Sequence, residues 1–274
     1  MDPDQVVLGN GAADLLHSAA LSLLSAGDEL AMPWPSYPLY PLLAAHAGAT
    51  PVPLEGPDIT SALTERTRVL VLCNPNDPTG SYVSSSDLRD LLTALPDDLH
   101  VLLDEALVHF QDAEDVDACL RLVDDFPRLL VVRTFSKIYG LSGLRAGYAV
   151  GSDARLLAAT APVLGVNALT QAAVEHALRN GDGEIERRRH AVARERKVLT
   201  EQLRELGADV TESKANFLWI RIPDLSGDQL ANGLRRQGVI VAPGGPLGED
   251  HHIRAAILGE AASNRLLSAI KNLR

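Results

Sequence analysis

Between Gly9 and Val150, short apolar runs alternate with helical repeats, and this alternation restricts the fold more than any other feature of the chain. Residues 68–73, 100–103 and 129–133 are almost unbroken in Val and Leu. Strands read this way when helices cover both faces of a parallel sheet. Leu15, Leu16, Ala19, Ala20, Leu23 and Leu24 recur at helical spacing, and Gly27 closes that run. Ser84 opens a second helix reaching about Leu95. The same reading predicts helices at 39–47, at 116–126 and from Ser152, and strands at 5–8, 29–32, 50–54 and 147–150. Strands alternating with helices in this way predict an α/β fold with a mostly parallel sheet. After Pro162 the pattern changes. Helices are predicted at 168–180, 184–206, 229–237 and 261–273, and strands at 209–210, 216–222, 239–241 and 252–257. That is a smaller α+β unit, so the expected division is a large α/β domain over 1–164 and a small C-terminal domain over 165–274.

With 274 residues the chain can bury a substantial core. Its net charge of −11 argues against sequence-independent nucleic-acid binding, while leaving room for a local cationic pocket. Cys73 and Cys119 are its two cysteines, too few for a disulfide framework or a Cys-rich zinc site, and a reducing cytoplasm is the expected compartment. No run reaches membrane-spanning length. Asp250-His251-His252 reads as a surface turn rather than a metal site. The run Arg187-Arg188-Arg189-His190 reads as a solvated helix face.

The chemistry concentrates after the run at 129–133. Thr134-Phe135-Ser136-Lys137 is followed by Gly140-Leu141-Ser142-Gly143-Leu144-Arg145-Ala146-Gly147. Hydroxyls and a guanidinium suit a phosphate ester. An unprotonated lysine amine attacks carbonyls. Phosphate and aldehyde on one small molecule describe pyridoxal 5'-phosphate, although a plain loop with a surface lysine uses the same residue types. Other stations are equally two-sided. Gly9-Asn10-Gly11-Ala12-Ala13 is a turn into a helix, or a place where backbone N–H groups meet an anion. Asp104 ends a parallel strand, where open α/β sheets put their ligands; it is a partner for a cationic ring nitrogen or a strand-end turn acid. Tyr37, fixed between Pro35 and Pro38, is a stacking ring or a loop anchor.

Taken together, these stations resemble the fold-type I pyridoxal-phosphate-dependent aminotransferases of class I/II, most closely the histidinol-phosphate aminotransferase branch. The resemblance runs from Gly9 to the end of the chain, and the Ser-Lys loop with its downstream Gly-Leu-Arg-Ala-Gly carries most of it. It implies that Lys137 is the Schiff-base lysine and that Asp104 sits on the pyridinium nitrogen. It implies a phosphate cup of Thr134, Ser136, Arg145 and the backbone amides of Ala12 and Ala13, with Tyr37 stacked on the ring. Arg254 would clamp the substrate carboxylate, and Val166, Asn167 and Gln171 would enter the inter-domain helix. Three positions depart from the family. Asp77 stands where asparagine usually donates to the cofactor's phenolic oxygen; it would have to be protonated, turned away or bridged by water. Leu107 stands where a tyrosine bonds the same oxygen. A segment that the family carries before the Gly9 position, including a partner-subunit tyrosine, is expected to be missing.

The resemblance implies amino-group transfer between an amino acid or amino alcohol phosphate and a 2-oxo acid. Lys137 would move the proton and Asp104 would keep the ring nitrogen protonated. A cytoplasmic homodimer is implied, without nucleic-acid or membrane partners. Two alternatives stay open: a decarboxylase of the threonine-phosphate type, and a catalytically impaired protein on the same scaffold.

Overall fold

The computed structural model describes residues 2–56 and 58–273. Its first part runs β1 (Val6–Gly9), α1 (Ala12–Leu23), β2 (Glu29–Pro33), α2 (Leu39–His46), β3 (Thr50–Leu54), β4 (Thr67–Cys73), α3 (Ser85–Ala94), β5 (His100–Asp104), β6 (Leu129–Thr134), β7 (Gly147–Val150) and α4 (Ala154–Thr160). The seven strands form one sheet in the order β1-β7-β6-β5-β4-β2-β3. The pairs from β3 through β2, β4 and β5 to β6 are parallel. Strand β7 is antiparallel to both its neighbours. The reason is local: only a 3-10 turn, Ser142–Leu144, lies between β6 and β7, and a chain that turns back without a crossover can only return antiparallel.

Apolar side chains fill both faces of the sheet, as the unbroken strand runs require. On one face Leu15, Leu16, Ala19, Leu43, Leu102 and Leu130 pack with α1, α2 and α4. On the other, Leu88, Leu92, Val101, Leu103, Leu129 and Val131 pack with α3 and a short 3-10 turn, Leu120–Asp124. The helix predicted over 116–126 shrinks to that turn. Asp115 accepts from the Asp117 N–H at 2.9 Å, and Asp117 reaches Arg133 at 2.6 Å. Side-chain bonds of this kind compete with helical ones.

The second part runs α5 (Ala168–Asn180), α6 (Asp182–Glu205), β8 (Asp209–Val210), β9 (Phe217–Arg221), α7 (Gly227–Arg236), β10 (Ala242–Pro243), β11 (His252–Ala256) and α8 (Glu260–Lys271). A four-stranded sheet, β10-β11-β9-β8, carries its own core around Leu199, Leu218, Ile220, Ile253 and Leu266. The strand predicted at 239–241 moves to Ala242–Pro243. Gly238, at φ +77°, ends α7, with its N–H on the Arg235 carbonyl and the Val239 N–H on Leu234. That closing motif uses up the residues the apolar pattern had given to a strand. The two halves meet through a small cluster of Leu107, Phe110, Ile138, Ala215 and Phe217. Arg196 of α6 reaches across that boundary to the carbonyls of Phe110 at 3.0 Å and Ala215 at 2.9 Å.

Leu130 is completely buried in the middle of the large sheet. Leu130→Ala is expected to lower unfolding free energy by about 2–5 kcal/mol, read from the shift of a urea denaturation midpoint.

Candidate active site

The parallel strands deliver their last residues to one edge of the large sheet. Asp104 ends β5 opposite Cys73 at the end of β4 and Val132 on β6. Thr134 ends β6 opposite Gly147. A cavity of about 240 Å³ opens there, lined by Ala12, Ala13, Leu16, Tyr37, Leu39, Cys73, Asp77, Asp104, Ala106, Leu107, Thr134, Ser136, Lys137, Ser142 and Arg145. Nine of the ten predicted site residues line it: Ala12, Ala13, Tyr37, Asp77, Asp104, Thr134, Ser136, Lys137 and Arg145. Arg254 does not line it.

One end of the cavity is built for an anion. Arg145 adopts a left-handed backbone at φ 55° and lays its guanidinium on Ser136 Oγ at 3.2 Å and the Ser142 carbonyl at 3.0 Å. Gly11, at φ +98°, makes the room: a Cβ there would lie 2.4 Å from the Arg145 guanidinium. The first turn of α1 begins beside it, and its leading N–H groups have no intrahelical acceptor. Thr134 Oγ1 accepts from the Ser136 N–H at 3.1 Å, which fixes the chain just before the lysine.

Lys137 follows in a turn closed by the Gly140 N–H on its carbonyl at 3.0 Å. Its side chain is exposed and makes no hydrogen bond or ion pair among the described residues. Arg188 of α6 donates to the Ile138 carbonyl at 2.8 Å, so that member of the basic run braces the lysine turn rather than facing solvent alone.

Asp104 lines the same cavity and is only 4% exposed. One oxygen accepts from the Tyr40 hydroxyl and the other from the Ala106 N–H, each at 3.0 Å. Burial pushes its carboxyl upward, against the Ala106 and Tyr40 bonds and the charge of Lys137, which pull it down. Such a carboxylate gains from a cation beside it, and a protonated ring nitrogen is one. Tyr40 is completely buried, and burial followed by Asp104 pushes its phenol up, so it stays a donor. Sequence reasoning missed Tyr40. Its one signal is the spacing of Tyr37 and Tyr40 at the entry to α2, where the two rings meet edge to face at 5.8 Å. Ser142 and Cys73 were also missed as lining residues. Cys73 is held as a thiol by burial and by Asp104.

Phosphate donors, an amine and a buried carboxylate line one cavity, and that set of groups fits pyridoxal phosphate. The departures from the family pattern also find their places. Leu107 lines the cavity and is buried in one apolar cluster with Phe110, Ile138 and Phe217. Asp77 is turned to Arg254, and both its oxygens accept from Nη1, one of them at 2.6 Å. Arg254 therefore has an internal partner where a substrate carboxylate was expected. Asn167 caps α5 by accepting the Thr170 N–H at 3.0 Å, and Gln171 bonds the Val166 carbonyl at 2.6 Å.

The family model described as aminotransferase class I and II matches residues 1–270. The chain belongs to that family. It is a pyridoxal-phosphate-dependent aminotransferase of fold type I. An aromatic amino acid aminotransferase from Cutibacterium acnes is 34% identical, the match covering 98% of this chain and 78% of the relative. A histidinol-phosphate aminotransferase from Nitrosococcus oceani is 35% identical, over 98% of this chain and 75% of the relative. Among solved structures, an aspartate aminotransferase mutant from Thermus thermophilus matches with a TM-score of 0.87 at 24% identity, covering 100% of this chain and 80% of that one. The histidinol-phosphate aminotransferase of Clostridium acetobutylicum matches with a TM-score of 0.85 at 22% identity, over 98% and 83%. The structural matches speak for the fold. Among the described residues no helix of this aminotransferase is long and apolar enough to cross a membrane.

The lysine turn also carries a titratable neighbour. His109 packs edge to face on Tyr139 at 5.5 Å, two residues beyond Lys137. Burial and then the charge of Arg133 bring its imidazole down to about 4. The unfolded chain takes up that proton near pH 6.5, so the His109 contribution to stability is complete above this value and is lost as pH falls from there toward 4. That contribution is on the order of 2 kcal/mol, and buried Glu105, whose carboxyl burial pushes up to about 7, titrates in the opposite sense. His109→Phe is expected to remove the His109 contribution, so that the aminotransferase loses less stability than the parent, or gains some, as pH falls from 6.5 toward 4, read from urea midpoints at a series of pH values.

Proposed function

We propose that this aminotransferase moves an amino group between an amino acid or amino alcohol phosphate, of the histidinol-phosphate kind, and a 2-oxo acid, with pyridoxal phosphate held in the 240 Å³ cavity. The observation that carries the proposal is the joint presence of Lys137, Asp104 and Arg145 in the lining of one cavity beside the carboxyl ends of β5 and β6. Relatives named for aromatic amino acids and for histidinol phosphate support this donor range.

When bound, the cofactor supplies an aldehyde and a ring that accepts electron density. Arg145, Ser136, Thr134 and the N–H groups of Ala12 and Ala13 would hold its phosphate. Asp104 would accept from the ring nitrogen, with the Tyr40 hydroxyl and Ala106 N–H keeping that carboxylate aimed. Tyr37 would pack against the ring. Lys137 would hold the aldehyde carbon, and its amine would carry the proton at the substrate's α carbon. Residues 1–164 act as the cofactor domain and 165–274 as the small domain, a division supported by the two sheets and their separate cores. A homodimer is the working form, supported by the exposed apolar residues Val163, Leu164 and Leu169 at the junction. Free Cys73 and Cys119 suit a cytoplasmic location.

The test is product analysis with pyridoxal phosphate, histidinol phosphate or phenylalanine as donor, and 2-oxoglutarate. Glutamate is expected to form only when both substrates are present, and Lys137→Ala is expected to slow it by at least about 100-fold. Carbon dioxide release that needs no 2-oxo acid would replace transamination by decarboxylation.

A further inference from the structure

Asp77 and Arg254 form an ion pair across the two halves of the molecule, from the 74–80 loop to β11. Its geometry is unusual for an arginine. Both carboxylate oxygens sit on the single nitrogen Nη1, while Nε and Nη2 make no hydrogen bond among the described residues. The guanidinium also lies over the Phe217 ring, 5.4 Å from its centroid, and is 29% exposed. An arginine binds a carboxylate best with two parallel N–H donors. Half of that fork is therefore open, beside Asp77 and within electrostatic reach of Tyr37, both of which line the cavity.

The loop that carries Asp77 is held in place. It is 8% exposed, and its N–H donates to Cys73 Sγ at 3.4 Å. Three residues on, Gly80 lies so close to Ser213 that a Cβ would come within 2.2 Å of its hydroxyl, and the Lys214 N–H bonds the Gly80 carbonyl at 2.7 Å. Asn76 is tied to the Pro35 carbonyl at 3.1 Å and to Ser36 at 2.9 Å. A ligand carboxylate reaching the open side of Arg254 thus meets a fixed negative charge on the same guanidinium. A ligand without a carboxylate meets none.

The geometry points to Asp77 as a specificity-determining residue, an internal counter-anion on Arg254 that weakens the hold on every ligand carboxylate, the 2-oxo acid's included, and so shifts the preference among amino donors toward carboxylate-free ones such as amino alcohols. The inference rests on the cavity being the substrate site, as proposed above, and it concerns a position where this chain departs from its family.

The test compares two probes of one shape, 3-phenylpropanoate and 3-phenylpropan-1-ol, by calorimetric titration of the full chain with and without pyridoxal phosphate. Asp77→Asn is expected to tighten the acid by about tenfold or more, the scale of one hydrogen bond to a charged group. The alcohol is expected to change by less than about twofold. In an Arg254→Gln background, Asp77→Asn is expected to leave the acid unchanged, because the effect runs through that guanidinium. If acid and alcohol tighten together, or if the acid binds the parent and Asp77→Asn equally or binds neither, the inference is overturned. Failure to take up pyridoxal phosphate overturns the cofactor reading alone, since the chain without cofactor still reports the effect of Asp77 on the acid.

Discussion

The site depends on one buried carboxylate. Asp104 sits at the end of a parallel strand with almost no solvent, and a charge in that position survives only with hydrogen bonds and a cation near it. The chain supplies the hydrogen bonds from two separate elements: a hydroxyl from α2 and a backbone N–H from the turn after β5. It places the amine of Lys137 near enough to pull the carboxyl down. Each of these groups is anchored in the large sheet or in a helix packed on it. The order of the strands is therefore what sets the distance between the Asp104 carboxylate, the Lys137 amine and the Arg145 guanidinium.

A second constraint is the seam between the halves. Leu107, Phe110, Ile138, Ala215 and Phe217 close it with apolar contact directly beside the lysine turn. Arg196 ties α6 to the backbone of Phe110 and Ala215, and Arg188 braces the backbone after Lys137. Lys214 and Arg196 share Asp112 on the far side of the seam. Every residue lining the cavity thus belongs to the first half of the chain, and the C-terminal unit braces that half from outside through Arg188 and Arg196. The two departures from the family pattern, Asp77 and Leu107, both face this seam. Each has found a structural partner there, a guanidinium for one and an apolar cluster for the other.

Much of this was legible in the sequence because the chemistry follows strand ends. Apolar runs predicted β4, β5 and β6, and the residues just beyond them, Asp77, Asp104, Thr134 and Lys137, line one cavity. The antiparallel turn of β7 was not legible, since an apolar run carries no direction. Nor was Tyr40, whose role comes from α2 lying across the end of β5, a contact 64 residues apart in the chain. The false helix at 116–126 and the shifted strand near 241 share one cause. Asp115 and Gly238 engage the backbone locally in ways that periodicity does not register. Arg254 shows a different limit: a motif names a residue type and its expected ligand, while the neighbour that already holds it lies on another loop.

The chain has four lysines, Lys137, Lys197, Lys214 and Lys271, and the account assigns the cofactor to the first. Reduction with borohydride in the presence of pyridoxal phosphate, followed by peptide mapping by mass spectrometry, reads that assignment directly. A single pyridoxyl-phosphate adduct on Lys137, lost when Arg145 is replaced by alanine at limiting cofactor, is the expected result. An adduct on any of the other three lysines with Lys137 unmodified, or no adduct at saturating cofactor, would contradict it.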